Sequence, residues 1–182
     1  DIVDRLRKTL DHEVEVLQHQ FMRNSVRAMH AAAAFVEPGK VMLRTDDGDH
    51  SQVSYDHALI AVGTRPHRPA EVPFDRVRIF DSDDILELSR LPRSLTVIGA
   101  GVIGVEYATI FSALDVPVTL IEPRASILDF VDHEIVEDFV HQMRDRGMNV
   151  RMGTAVREVL SKPDHAEVVL ADGRVIHSEI VL

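Results

Sequence analysis

The chain has 182 residues, 45% of them apolar, and 30 acidic against 20 basic side chains leave a formal net charge of −10. That composition allows a buried core, its acidic balance disfavours nucleic acid and anionic membrane surfaces, and no apolar run approaches the roughly 20 residues of a membrane span. Cysteine is absent, which removes disulfides, thiolate zinc sites and a thiol nucleophile from this segment.

No signal peptide is readable, and a cytoplasmic protein is the expectation. The chain opens at Asp1 rather than Met and stops inside the strand-like run Ser178 to Leu182, so it reads as a fragment. Leu6, Leu10, Val14, Leu17 and Phe21 repeat at helical spacing and predict a helix that packs one apolar face. A heptad coiled coil is the rival, but the pattern fades after Asn24. Val41 to Thr45, an Asp-Asp-Gly-Asp turn and Gln52 to Tyr55 predict a hairpin. A buried strand, Ala58 to Val62, is expected next, and three prolines mark Arg65 to Pro73 as a linker.

Asp81-Ser82-Asp83 is expected to cap a short helix, Asp84 to Ser89, that Pro92 closes. From Leu95 the pattern runs strand, glycine turn, helix, strand, helix, strand. Ile135, Phe139, Val140 and Met143 are expected to form the apolar face of the later helix, with Gly147 ending it. Glu167 to Leu182 then repeats the plan of Val41 to Val62, a hairpin on an Asp-Gly-type turn followed by a short strand. Two similar α/β domains in series are the simplest account; convergent hairpins are the alternative.

The chemistry concentrates in Gly99-x-Gly101-x-x-Gly104. A glycine triplet alone says little, but this one follows the apolar strand Leu95 to Ile98 and opens the helix Val102 to Leu114. Gly99 permits a tight turn, Gly101 lets backbone approach phosphates, and Gly104 lets helix and strand touch. The amides at the helix start then suit a pyrophosphate. The next strand, Pro117 to Ile121, ends in Glu122, a carboxylate placed to accept the ribose hydroxyls of NAD, with Arg124 able to meet a 2′-phosphate. The pair suggests NAD with tolerance for NADP; ordinary solvated residues are the alternative.

Glu106, on the first turn of the helix, either faces a nicotinamide or is an acid near a positive helix end. Among ten histidines, His133 with His141 and His12 with His19 lie two turns apart and lack i, i+4 ligand spacing, so no metal site is expected. No Ser/His/Asp set reads as a triad.

These residues resemble the pyridine nucleotide–disulfide oxidoreductase flavoproteins over the whole chain. Ala58-Leu-Ile-Ala-Val-Gly-Thr-Arg-Pro66 is similar to the strand that closes the family's first FAD segment in an Ala-Thr-Gly-Ser motif. Val62 replaces the Thr there, which keeps backbone contacts and loses a hydroxyl. Asp81-Ser82-Asp83 with Leu91-Pro92 resembles the lead into the NAD domain, and Val97 to Ala108 resembles its fingerprint, Glu106 included. Asp115 stands where Gly often ends the helix, a change tolerated because Asp can enter the left-handed region.

The resemblance implies an α/β, Rossmann-like FAD/NAD(P)-binding fold with β-meander insertions, part of a flavoprotein with two dinucleotide domains. Residues 1–68 would be the end of the first FAD-binding segment, and residues 69–182 an NAD(P)-binding domain truncated at its last strand. FAD, NAD and NADP are the implied cofactors. The three glycines with Ala100, Val102 and Ile103 would hold NAD(P), together with Glu122, Arg124 and Val156. Ala33, Ala61 and Gly63 would lie on the FAD, and Glu106 would help to place the nicotinamide.

Gln20 to Asn24, Phe80 to Asp83, Gly101 to Ala108 and Leu120 to Arg124 resemble members that pass hydride reversibly between NADPH and NAD+ through bound FAD, with Si specificity. Lipoamide dehydrogenase or another disulfide reductase of the family is the alternative. The reductases' redox cysteines would lie before Asp1, so their absence here does not discriminate. The flavin's own glycine cradle and a C-terminal domain that makes a homodimer or higher oligomer are likewise expected outside the chain. Alone, the fragment is expected to bind NAD(H) weakly and to catalyse nothing. A non-catalytic NAD(H)-binding module is the alternative of another class.

Overall fold

The apolar spacing from Leu6 to Phe21 builds helix α1, Ile2–Arg23, in the computed structural model, which describes residues 2–182 and, in α1, the side chains from Asp4 onward. Its five apolar side chains are 42% to 55% exposed, so the face expected to pack is uncovered. The chain divides into two compact units, Asp1–Val62 and Gly63–Leu182.

In the first unit an antiparallel meander follows α1: β1 (Ala32–Glu37), β2 (Lys40–Arg44) and β3 (His50–Ser54). The anticipated hairpin is β2 and β3, in register from Lys40 opposite Ser54 to Arg44 opposite His50. β1 was not legible, because its alanine run carries no alternation. Ala58 to Val62 departs from expectation. It forms no strand, and Leu59, Ile60 and Val62 are 91%, 68% and 88% exposed. A strand's amides need a neighbouring strand, and none lies beside this segment among the described residues.

The second unit has three layers. Its centre is a parallel sheet in the order β10-β4-β5-β6, made by β4 (Leu95–Ile98), β5 (Val118–Ile121), β6 (Asn149–Arg151) and β10 (Ile180–Val181). Helices α2 (Val102–Ala113) and α3 (His133–Asp145) cover one face, and the meander β7 (Val156–Ser161), β8 (Ala166–Leu170) and β9 (Val175–Ser178) covers the other. Strand alternation sorts the core. Leu95, Val97, Val118, Leu120 and Ile180 join Val105, Ala108, Val140 and Met143 under the helices. Ile121 and Val181 pack with Val159, Val168 and Leu170 under the meander.

Three local features differ from, or refine, the sequence expectation. The segment after Asp83 is a short 3-10 turn, Asp84–Glu87, whose N-cap Asp83 makes no side-chain bond to it; Asp81 Oδ1 instead accepts from the N–H of Asp83 at 2.9 Å and of Asp84 at 2.8 Å. On α3 Val140 and Met143 are buried and Phe139 partly buried, as expected, but the row begins at the buried Val136 and not at Ile135, which is 63% exposed. Asp115 does adopt the left-handed conformation that ends α2, with φ of +62°.

Candidate functional site

The turn between β4 and α2 is built by glycines with separate jobs. Gly99 has φ of +103°, a region L side chains rarely enter, and its N–H donates to Ile121 O at 2.8 Å, tying the turn to β5. A Cβ on Gly104 would stand 2.0 Å from Gly99 O and 3.3 Å from Val97 Cγ1, so helix and strand meet there with no room for a methyl group. Gly101 has φ of −74°, which any residue adopts, and a Cβ on it would meet nothing within 4 Å. Packing therefore explains Gly104 but not Gly101.

Gly101 is the N-cap of α2 and offers it no side-chain acceptor. The N–H groups of Val102, Ile103 and Gly104 donate to no protein acceptor among the described residues. Ala100 is different: it is fully buried, and its N–H is committed to Glu122. A groove of about 1080 Å³ runs past Gly99 and Gly101 to Gly104, with Val156, Phe74 and Leu182 among its walls. Its Ser82 wall is pinned to α2 by Tyr107, whose hydroxyl donates to Ser82 O at 2.8 Å. Free amides, an open position above Gly101 and a groove of this size together fit a dinucleotide pyrophosphate.

Glu122 is only 3% exposed. Oε1 accepts from Arg124 N at 3.0 Å and Arg124 Nε at 2.8 Å, and Oε2 accepts from Ala100 N at 2.8 Å and Arg124 Nη2 at 3.1 Å. These four donors fill the acceptor capacity of a carboxylate. The Arg124 guanidinium, helped by the two N–H groups and opposed by burial, holds the Glu122 carboxyl down at about 2. A ribose diol gains this carboxylate only when Arg124 lets go of it. Arg124 is half exposed and also paired with Asp129 at 3.0 Å, and neither Glu122 nor Arg124 lines the groove in this arrangement.

Of the other expected residues, Val156 lines the groove beside Arg157 and Glu158. Glu106 is exposed on α2 and does not line it. Ala33 is exposed on β1, and Ala61 and Gly63 lie exposed in the extended segment that follows the first meander. His133 and His141 pair instead with Glu137 and Asp145, each at 3.4 Å on the exposed side of α3.

Sequence reasoning missed two groupings. Arg68 bridges Asp81 at 2.6 Å and Asp84 at 2.7 Å, and Arg76 reaches Asp84 at 2.8 Å, fixing the wall of the groove that Asp81 lines. Burial pushes Asp81 up, but the Asp84 N–H, the Arg68 guanidinium and the Asp83 N–H outweigh it and hold its carboxyl below the usual range. The second grouping is His165, Glu167 and His177, gathered on the second meander. Part of its signal was present: the i, i+2 spacing of His165 and Glu167 would share a face in extended chain, and the hairpin register sets His177 opposite Glu167.

The pyridine nucleotide-disulphide oxidoreductase family matches residues 4–182, and the chain belongs to it. Among curated relatives, it is 39% identical over 183 residues to a soluble pyridine nucleotide transhydrogenase of Mycobacterium bovis and 32% identical over 182 residues to that of Colwellia psychrerythraea. All of this chain is covered in both, but only 39% of each relative, so the chain spans about two fifths of their length. Among solved structures, LpdA of Mycobacterium tuberculosis superposes with a TM-score of 0.90 at 21% identity, over 100% of this chain and 41% of that one. The HOCl-induced flavoprotein disulfide reductase RclA of Escherichia coli gives 0.84 at 19% identity, over 99% of this chain and 40% of that one. At such identities these likenesses concern the fold alone, and the fold is the Rossmann-like α/β arrangement expected from the sequence.

Proposed function

We propose that the chain is the nicotinamide-dinucleotide-binding part of a longer FAD-dependent oxidoreductase that passes hydride between NADPH and NAD+. The observation that carries the reading is Gly101: a glycine that packing does not require, beside unpaired helix amides and above an open groove. The relatives' name, soluble pyridine nucleotide transhydrogenase, supplies the particular activity.

In this reading the amides of Val102, Ile103 and Gly104 hold the pyrophosphate, and the missing Cβ of Gly101 admits it. Val156 flanks the adenine. Arg124 is the adjustable element: turned inward it satisfies Glu122, and turned outward it meets the 2′-phosphate of NADP and frees Glu122 for the ribose of NAD. Glu106 is proposed to help place the nicotinamide. Ala33, Ala61 and Gly63 are proposed to lie on the FAD, with residues 1–68 belonging to the FAD-binding part and 69–182 to the NAD(P)-binding part. FAD, when bound, stores the hydride between two nicotinamides that use one groove in turn. A cytoplasmic homodimer or higher oligomer, Si-specific, completes the proposal, with this chain alone inactive.

The test is turnover. The full-length protein is mixed with NADPH and thio-NAD+, without disulfide or lipoamide, and reduced thio-NAD is followed by its absorbance. Flavin-dependent turnover is expected. A yellow protein that NADPH reduces but that passes nothing to thio-NAD+ contradicts transhydrogenation and points to a disulfide reductase. A colourless, inactive protein leaves only a binding module.

A further inference from the structure

We infer that His165, Glu167 and His177 form a divalent-cation site for Zn2+ on the second meander. The three donor atoms lie within 4.8 Å of one another. Glu167 and His177 are directly opposed across β8 and β9, and His165 lies just before the first residue of β8. The two imidazole rings lie with centroids 5.1 Å apart and planes tilted by 50°. Two histidines and one carboxylate, with a fourth position left to water, are a donor set that zinc accepts.

The distances also suit the ion. His165 Nε2 lies 3.2 Å from Glu167 Oε1. Two ligands each about 2.0–2.1 Å from a tetrahedral Zn2+ stand roughly 3.3 Å apart, so this pair already has the required bite. Asp164 Oδ1 lies 2.6 Å from His165 Nδ1. That carboxylate can accept a hydrogen bond from Nδ1–H and so leave Nε2 toward the site, the outer arrangement that orients histidine ligands in zinc proteins.

Three cations stand nearby, each engaged elsewhere or on the far oxygen, and Arg78 donates to Pro163 O at 3.0 Å. Lys162 Nζ sits 3.5 Å from Glu167 Oε2 and leaves Oε1 to the site. Arg93, across a shallow pocket of about 320 Å³ through which the cluster opens, is held by Glu179 at 3.4 Å. A bound ion would join the turn at Asp164 and His165 to β8 and β9.

The test is a titration of the chain with ZnCl2, read by calorimetry and by the melting temperature, with CoCl2 absorbance reporting the ligand geometry. One site and a zinc-dependent rise in melting temperature are expected. His177→Gln and Glu167→Gln should abolish both effects while leaving the metal-free melting temperature near that of the parent, since both side chains are at least partly exposed. Asp164→Asn should weaken binding roughly ten- to a hundredfold, and His133→Gln, an exposed histidine on α3, should change nothing. No zinc binding, or binding that survives His177→Gln and Glu167→Gln undiminished, overturns the inference.

Discussion

Gly101 and Gly104 occupy one turn and are glycine for different reasons. At Gly104 an added methyl group runs into backbone, 2.0 Å from Gly99 O and 3.1 Å from Gly99 C, neighbours that yield only if β4 and α2 separate. Overpacking of this kind costs about 1–3 kcal/mol, so Gly104→Ala should lower the melting temperature by several degrees, roughly 2–4 °C per kcal/mol for a chain of this size. An unchanged melt would show that the turn is looser than its geometry implies. Both glycines could be picked out in the sequence, as could the acid at the end of β5. What the sequence did not carry was the state of that acid. Arg124 lies two residues past Glu122, close enough for its side chain and its N–H to reach one carboxylate, and the Ala100 N–H arrives from a turn 22 residues earlier. The second distance is tertiary, and no local pattern announces it.

Elements were legible in proportion to the local signal that specifies them. The strand-turn-helix-strand unit from Leu95 to Ile121 and both hairpins carry period, turn chemistry and length together, and all formed. Ala58 to Val62 shows the limit. It has the same apolar, β-branched character as Ile180–Val181, yet only the latter has β4 beside it to take its hydrogen bonds. Strand character is decided by the neighbour, which a single segment does not encode. The first position of the α3 row was misplaced by one residue for a related reason, because Ile135 and Val136 can each begin an apolar row and only contact with the sheet chooses between them.

The elements of the second unit are also stitched by buried carboxylates. Glu179, just before β10, accepts from both Arg90 and Arg93, with Arg93 N at 2.6 Å, and Arg90 chiefly holds its carboxyl down at about 2. Glu122 stands at about 2 as well, against 4.5 for an unconstrained glutamate. Between those values the unfolded chain takes up protons that the folded chain refuses, so acid favours unfolding. Stability should be fully present above about pH 4.5 and fall progressively toward about pH 2. In Glu179→Gln that part of the acid slope should be shallower by one group, which a series of thermal melts across the window would register. An identical slope in the variant would remove Glu179 from the account.

At the scale of the whole molecule, the chain accounts for about two fifths of its curated relatives, and its two meanders differ in burial. The second closes over the parallel sheet and buries Val168 and Leu170 completely, whereas the strands of the first are exposed or half-buried throughout. Gly63–Leu182 therefore holds the ordered core and the groove, and it is the part from which cofactor binding is expected without the remainder of the protein. The most direct measurement is a titration of this chain with NADH, followed by nicotinamide fluorescence, in parallel with Gly101→Ala and with thermal melts of both. Saturable binding by the parent is expected, weakened roughly tenfold or more in Gly101→Ala, about 1.4 kcal/mol or above, with melting temperatures nearly equal. Equal NADH affinity in the two proteins, or no binding by the parent, would contradict the claim that this turn cradles a dinucleotide.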